Sequence, residues 1–139
     1  MEAVLPAVAV LGRAPTREAI IRHGLDGLVL TTGSLTSGSL GELLAARSAL
    51  LALVDEATAL AGLVRGLGPD FTQGEWLPLV ERIHEVTSQA HGELVAFHRS
   101  ARQHTSSPRL LDSITRACTA VMGLREEATL LAGRAAWAD

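Results

Sequence analysis

Lysine, asparagine and tyrosine are missing from this 139-residue chain, and Cys118 is its one cysteine. A lone thiol excludes an internal disulfide and fits a reducing cytoplasm. Aromatic residues make up only 3% of the sequence, so any core must be built from Ala, Leu and other aliphatic side chains. Ala and Leu are the strongest helix formers, whereas the β-branched and aromatic residues that favour strands are sparse, which points to an all-α fold. With no lysine, all 12 basic residues are Arg; they are interspersed with 15 acids for a net charge of −3. No basic stripe is present to neutralise a phosphate backbone, which argues against nucleic-acid binding. The most apolar run, residues 43–64, carries Arg47, Asp55, Glu56 and Thr58, which argues against a membrane span. The first eleven residues are apolar but lack a basic start, a poor fit to a secretory signal. Lys, Asn and Tyr share AT-rich codons, so their joint absence suggests a GC-rich bacterial or phage gene.

What is present is helical periodicity. Residues 1–38 read as an irregular N-terminal segment and residues 39–139 as a helical bundle. In the first part, Val4 to Leu11 is short, apolar and broken by Pro6. Pro15 and Thr16 open a short helix over about residues 17–22, which Gly24 is expected to end. Leu28-Val29-Leu30 reads as a strand or docking segment, and residues 31–39 as a Gly/Ser/Thr linker.

Three long helices follow. In the first, residues 40–67, Leu43, Ala46, Leu50, Leu53, Ala57, Leu60, Val64 and Leu67 recur at spacings of three and four. In the second, residues 75–102, the stripe is Trp76, Leu79, Ile83, Val86, Ala90, Leu94 and Phe97. Thr72 is its expected N-cap, with Glu75 as the capping-box partner, and Pro78 falls in its first turn. The third, residues 108–136, starts at Ser107-Pro108 and buries Leu110, Ile114, Ala117, Val121, Leu124, Ala128, Leu131 and Ala135. Short loops between helices near 40 Å long predict an elongated antiparallel, coiled-coil-like bundle. Its Ala-rich seams bury modest area, so self-association is expected.

Among polar residues, His84, His91 and His98 stand out, seven apart along one edge of the second long helix. They are the candidate partner-binding row, and three imidazoles on one face also suit an interface that gains charge as pH falls. Glu81 and His84 form a Glu-x-x-His pair, the spacing used in bundle di-iron sites, and so are the candidate ligands of a transition metal ion. Histidines seven apart are separated by about 10 Å along the axis and cannot share an ion. Completing a site requires donors from another helix, such as Asp55, Glu56, Glu126 or Glu127. Cys118 lies on an apolar helix face, which suits a buried thiol rather than a nucleophile.

Several stretches resemble known families. Leu30-Thr31-Thr32-Gly33-Ser34-Leu35-Thr36-Ser37-Gly38-Ser39-Leu40 resembles the cargo-loading peptides of encapsulin nanocompartments, which carry short Leu-Thr-x-Gly-Ser-Leu signatures. Many such cargoes are small helical iron-binding proteins, so the resemblance implies an iron-handling bundle. These peptides usually occupy a free terminus, whereas this stretch is internal. Leu40 to Gly68 together with Gln89 to Val95 is similar to flagellar export chaperones for hook-associated proteins, implying a protein that holds a partner's helices. Arg99 and His104 resemble the Arg-x4-6-His arrangement of HEPN-class nucleases, and His84-Glu85 resembles the phosphoacceptor of histidine-kinase dimerisation helices. No Gly-rich phosphate loop, Gly-x-Ser-x-Gly elbow or Cys-x-x-Cys occurs.

The leading expectation is a non-enzymatic helical protein–protein interaction module, an adaptor, chaperone or assembly subunit that forms a homo-oligomer and needs no cofactor. The alternatives are a metal- or iron-binding bundle, an encapsulin cargo among them, and a HEPN-like RNase.

Overall fold

A computed structural model describes residues 16–35, 40–67, 73–104 and 108–137; for residues 40–45, 73–76, 104 and 135–137 it describes the backbone only. The described residues form four helices and no strand: α1 Arg17–Gly33, α2 Leu40–Arg65, α3 Gln73–His104 and α4 Pro108–Trp137. The extended reading of residues 4–11, the N-caps expected at Thr72 and Ser107, and the linker residues 36–39 lie outside the described part.

The three seams predicted from periodicity form the core. Every predicted seam residue whose side chain is described is buried, from Ala46 to Val64 on α2 with Leu67 just past its end, Leu79 to Phe97 on α3 and Leu110 to Leu131 on α4. The buried stripes are wider than the prediction: Ala61, Val80, Thr87 and Ala101 are covered as well. A helix that touches two neighbours must bury a broader arc than one closing a single seam. Thr87 enters the core with its hydroxyl donating to the Ile83 carbonyl oxygen at 2.7 Å, so its burial leaves no donor unpaired.

The largest departure is α1. It is 17 residues long and runs through Gly24, Leu28-Val29-Leu30 and Thr31-Thr32 to Gly33. The predicted stop at Gly24, the strand at residues 28–30 and the linker beginning at Thr31 are therefore corrected. Ile21, Leu25 and Leu28 are fully buried in the same cluster as the seams of α2, α3 and α4. That burial outweighs the roughly 1 kcal/mol penalty of a mid-helix glycine. Gly24 has a packing role: a Cβ there would sit 2.5 Å from Leu60 Cδ2, so a larger residue requires the buried Leu60 side chain to shift. Thr31 and Thr32 stay within the helix with their hydroxyls turned back onto carbonyls four residues earlier, Gly27 and Leu28, each at 3.0 Å, so that burying Thr32 leaves no hydroxyl donor unpaired. Thr16 caps the start by accepting from the Ala19 N–H at 3.1 Å. Ser34 closes the end, its N–H donating to the Leu30 carbonyl and its hydroxyl to that of Thr31.

The cross-contacts fix the topology. Helix α1 packs on α2 and α3, and so does α4; α1 with α4, and α2 with α3, are the diagonals of a four-helix bundle. The α1–α2 pair is antiparallel. Arg17 at the start of α1 donates to the carbonyl of Gly66 beyond the end of α2 at 2.6 Å, and the Thr31 hydroxyl lies 2.9 Å from Glu56 Oε1. The α3–α4 pair is antiparallel too, with His84 opposite Thr129. The α2–α4 pair is parallel, with Arg65 on Glu127 at 2.8 Å and Arg134 donating to the Val64 carbonyl. The α1–α3 pair is likewise parallel, with Asp26 meeting Arg82 at 3.3 Å. The antiparallel neighbours predicted for the long helices thus hold for α3 and α4, while α2 and α3 run antiparallel across a diagonal. Helix α1 supplies the fourth wall that separates them.

Helix α3 begins at Gln73, two residues before the predicted start, so Pro78 lies inside the helix rather than in its first turn. It is exposed, on the side where water can satisfy the carbonyl left without a donor.

Candidate functional site

The three histidines lie on the flank of α3 that faces α4, and all three are half-buried. His84 anchors this placement, its Nε2 lying 3.3 Å from the Thr129 hydroxyl. The register follows from that contact. Seven residues is close to two full turns, so moving seven forward along α3 and seven back along α4 puts His91 level with Met122. A second such step puts His98 level with Thr115. Val95, 39% exposed, lies between the last two histidines, and Met122 is 38% exposed. The α3–α4 edge therefore presents three imidazoles, with Val95 accessible between the last two, Met122 accessible beside His91, and the exposed Ser88 between the first two. Beside it, α4 carries a shallow depression of about 610 Å³ lined by Cys118, Thr119, Met122, Gly123, Arg125, Glu126 and Thr129.

The predicted metal ligands are not gathered. Glu81 is exposed and His84 meets a threonine, not an acid, across the helix pair. Of the acids proposed to complete a site, Glu56 faces Thr31 of α1 and Glu127 takes Arg65 of α2, while Asp55 is exposed on α2 and Glu126 is exposed on α4, one turn before Thr129. Among the described residues no three His, Cys, Asp or Glu are placed to hold a metal ion. Arg99 and His104 both belong to α3, five residues and thus about 140° apart around the helix. The helix end expected between them is absent, and their positions do not share a face. Cys118 is half-buried and its burial pushes the thiol up from its ordinary range, which keeps it protonated and a poor nucleophile near neutral pH. The encapsulin-like stretch begins inside α1, where Leu30 to Gly33 are the last helical residues.

Two features escaped sequence reasoning. One is the outward face of α2, where Leu51 is 55% exposed, beside Ser48, Ala52, Ala59 and Gly62, also exposed. The doubled Leu50-Leu51 was the available signal, because two adjacent leucines cannot both face one seam. The other is a depression of about 310 Å³ where the end of α1 meets α3, lined by Thr32, Gly33, Leu35, Glu93, Ala96 and Phe97. Glu93 accepts from Gln89 through Oε1, while its buried Oε2 has no partner among the described residues. Nothing in the sequence distinguishes Glu93 from the other acids of α3.

Among the described residues no helix is long and apolar enough to cross a membrane. No protein-family model matches the chain, and comparison with curated proteins and with solved structures finds no match.

Proposed function

We propose that this chain is a non-enzymatic helical interaction module, an adaptor, chaperone or assembly subunit, that recognises other protein through its outer helix faces. The observation that carries the reading is the α3–α4 edge. His84, His91 and His98 run along it in one line, half-buried, with Val95 accessible between the last two and Met122 accessible on α4 beside His91. Amphipathic side chains of this kind, polar at the tip and apolar in the body, suit a surface that is covered by a partner helix and still hydrated when free. Beneath it lies a filled core of aliphatic side chains, a rigid support for such a face.

The test is capture of partner by the immobilised full chain from the host's own extract, compared with a His84→Ala, His91→Ala, His98→Ala triple variant. The reading predicts a defined partner, or the chain itself, retained by the parent and lost by the variant at unchanged helicity and melting temperature. Equal retention by both proteins removes the histidine row from the account.

A further inference from the structure

Helix α2 presents an unpartnered face whose chemistry suits a second copy of this chain. It packs on α1 and α4 with its other flanks. Outward it shows Arg47, Ser48, Leu51, Ala52, Asp55, Ala59 and Gly62. Leu51 lies midway between Arg47 and Asp55, four residues from each, and is 55% exposed. Arg47 and Asp55 are both exposed, and neither has an ion-pair or hydrogen-bond partner among the described residues. They cannot satisfy each other within one helix, because eight residues is about 12 Å of rise.

We propose that two copies pair through α2, antiparallel, about a two-fold axis passing beside Leu51; this rests on reading the chain as an interaction module and names one of its partners. The charge pattern selects the arrangement. About an axis at position 51, residue 47 of each copy falls opposite residue 55 of the other, so Arg47 and Asp55 pair twice. Parallel pairing in register sets Arg47 against Arg47 and Asp55 against Asp55, like charges that oppose association. Ser48, Ala52, Ala59 and Gly62 carry little bulk, so the two helices can approach at the short end of the usual 8–10 Å interaxial range. Leu51 then fills the centre, the place where an apolar anchor contributes most. About an axis at position 51 the two helices overlap over residues 40–62, about 34 Å, a small interface by the standard of roughly 800 Å² per partner. The dimer is therefore reversible, dissociating in the micromolar range.

Sedimentation equilibrium of the full chain tests this with four proteins: the parent, Arg47→Asp, Asp55→Arg, and the double variant carrying both. All the substituted positions are exposed, so circular dichroism is expected to show the same helicity and melting for all four. The parent is expected to dimerise, each single variant to weaken the dimer by about tenfold or more, and the double variant to recover parental affinity because both pairs are complementary again. A Leu51→Glu variant, exposed at the same face, is expected to be monomeric. A parent that stays monomeric up to about 200 μM, or a dimer indifferent to the single charge reversals, overturns the α2 pairing. Such a result leaves the histidine-row reading intact, since that depends on a different face and is read by partner capture. Conversely, charge-swap rescue with unchanged capture by the histidine variant supports the α2 dimer and removes only the histidine row.

Discussion

Gly24 and Gly92 have the same local effect on a helix and opposite surroundings. Each loosens the backbone by about 1 kcal/mol relative to Ala. A Cβ at Gly24 would collide with Leu60, which is buried, whereas one at Gly92 meets nothing within 4 Å. Gly92→Ala is therefore expected to stabilise the fold by about 0.5–1 kcal/mol. Gly24→Ala is expected to destabilise it, because overpacking costs about 1–3 kcal/mol and outweighs the helix gain. Urea titration followed by circular dichroism checks both signs; a stabilised Gly24→Ala would mean that Leu60 moves aside freely. Cys118 offers a second residue-scale test. Burial raises its thiol above the ordinary range, so the folded chain holds the proton more tightly than the unfolded chain. The sign follows: this contribution to stability is complete below the ordinary thiol range and is lost as pH rises through the folded value. Thiol labelling at pH 7–8 is expected to be much slower in native protein than in urea. At alkaline pH the melting temperature of the parent is expected to fall further than that of Cys118→Ala.

At the scale of the element, legibility depended on whether one signal sufficed. On α2, α3 and α4 the three-four spacing was enough, and Leu50, Ile83 and Ile114 sit in the core where spacing put them. On α1 two signals conflicted. Ile21, Leu25, Leu28 and Thr32 carry the same four-three-four spacing and are all buried, yet Gly24, Gly27 and the Thr31-Thr32-Gly33 run read locally as breakers. The conflict is resolved by contacts distant in sequence: Leu60 against Gly24, and Glu56 facing Gly27 and Thr31. A reading confined to local signals cannot weigh those. The helix start at Pro15 and Thr16 was legible, and Thr16 caps it by accepting from the Ala19 N–H. Thr16→Ala is expected to destabilise the protein by about 1 kcal/mol, with hydrogen exchange accelerated most over the first turns of α1. Uniform acceleration across all four helices would instead show that α1 and the rest open as one unit. The histidine row was legible as a helix edge because period seven keeps residues on one side. Its neighbour was not, since only the folded register places α4, with Thr129 and Met122, beside it.

For the molecule as a whole, composition sufficed for the class and not for the arrangement. An Ala- and Leu-rich chain with 3% aromatics makes helices, but which helices lie side by side is set by α1. That helix stands between α2 and α3 and turns a linear up-down succession into a bundle with two parallel and two antiparallel neighbours. The core is filled from inside, yet Leu30, Leu51, Leu77 and Leu130 remain about half exposed or more. Single exposed leucines are ordinary on protein surfaces; here one of them, Leu51, sits at the centre of a charge-complementary face and the histidines line another. The central claim is that this bundle works by being covered. Multi-angle light scattering of the full chain over about 1–200 μM, a span bracketing micromolar dissociation, tests it most directly. The account predicts a mass rising with concentration from the 14.6 kDa of one chain towards twice that value. A mass fixed at one chain throughout, from protein that also retains nothing from its host's extract, would contradict it.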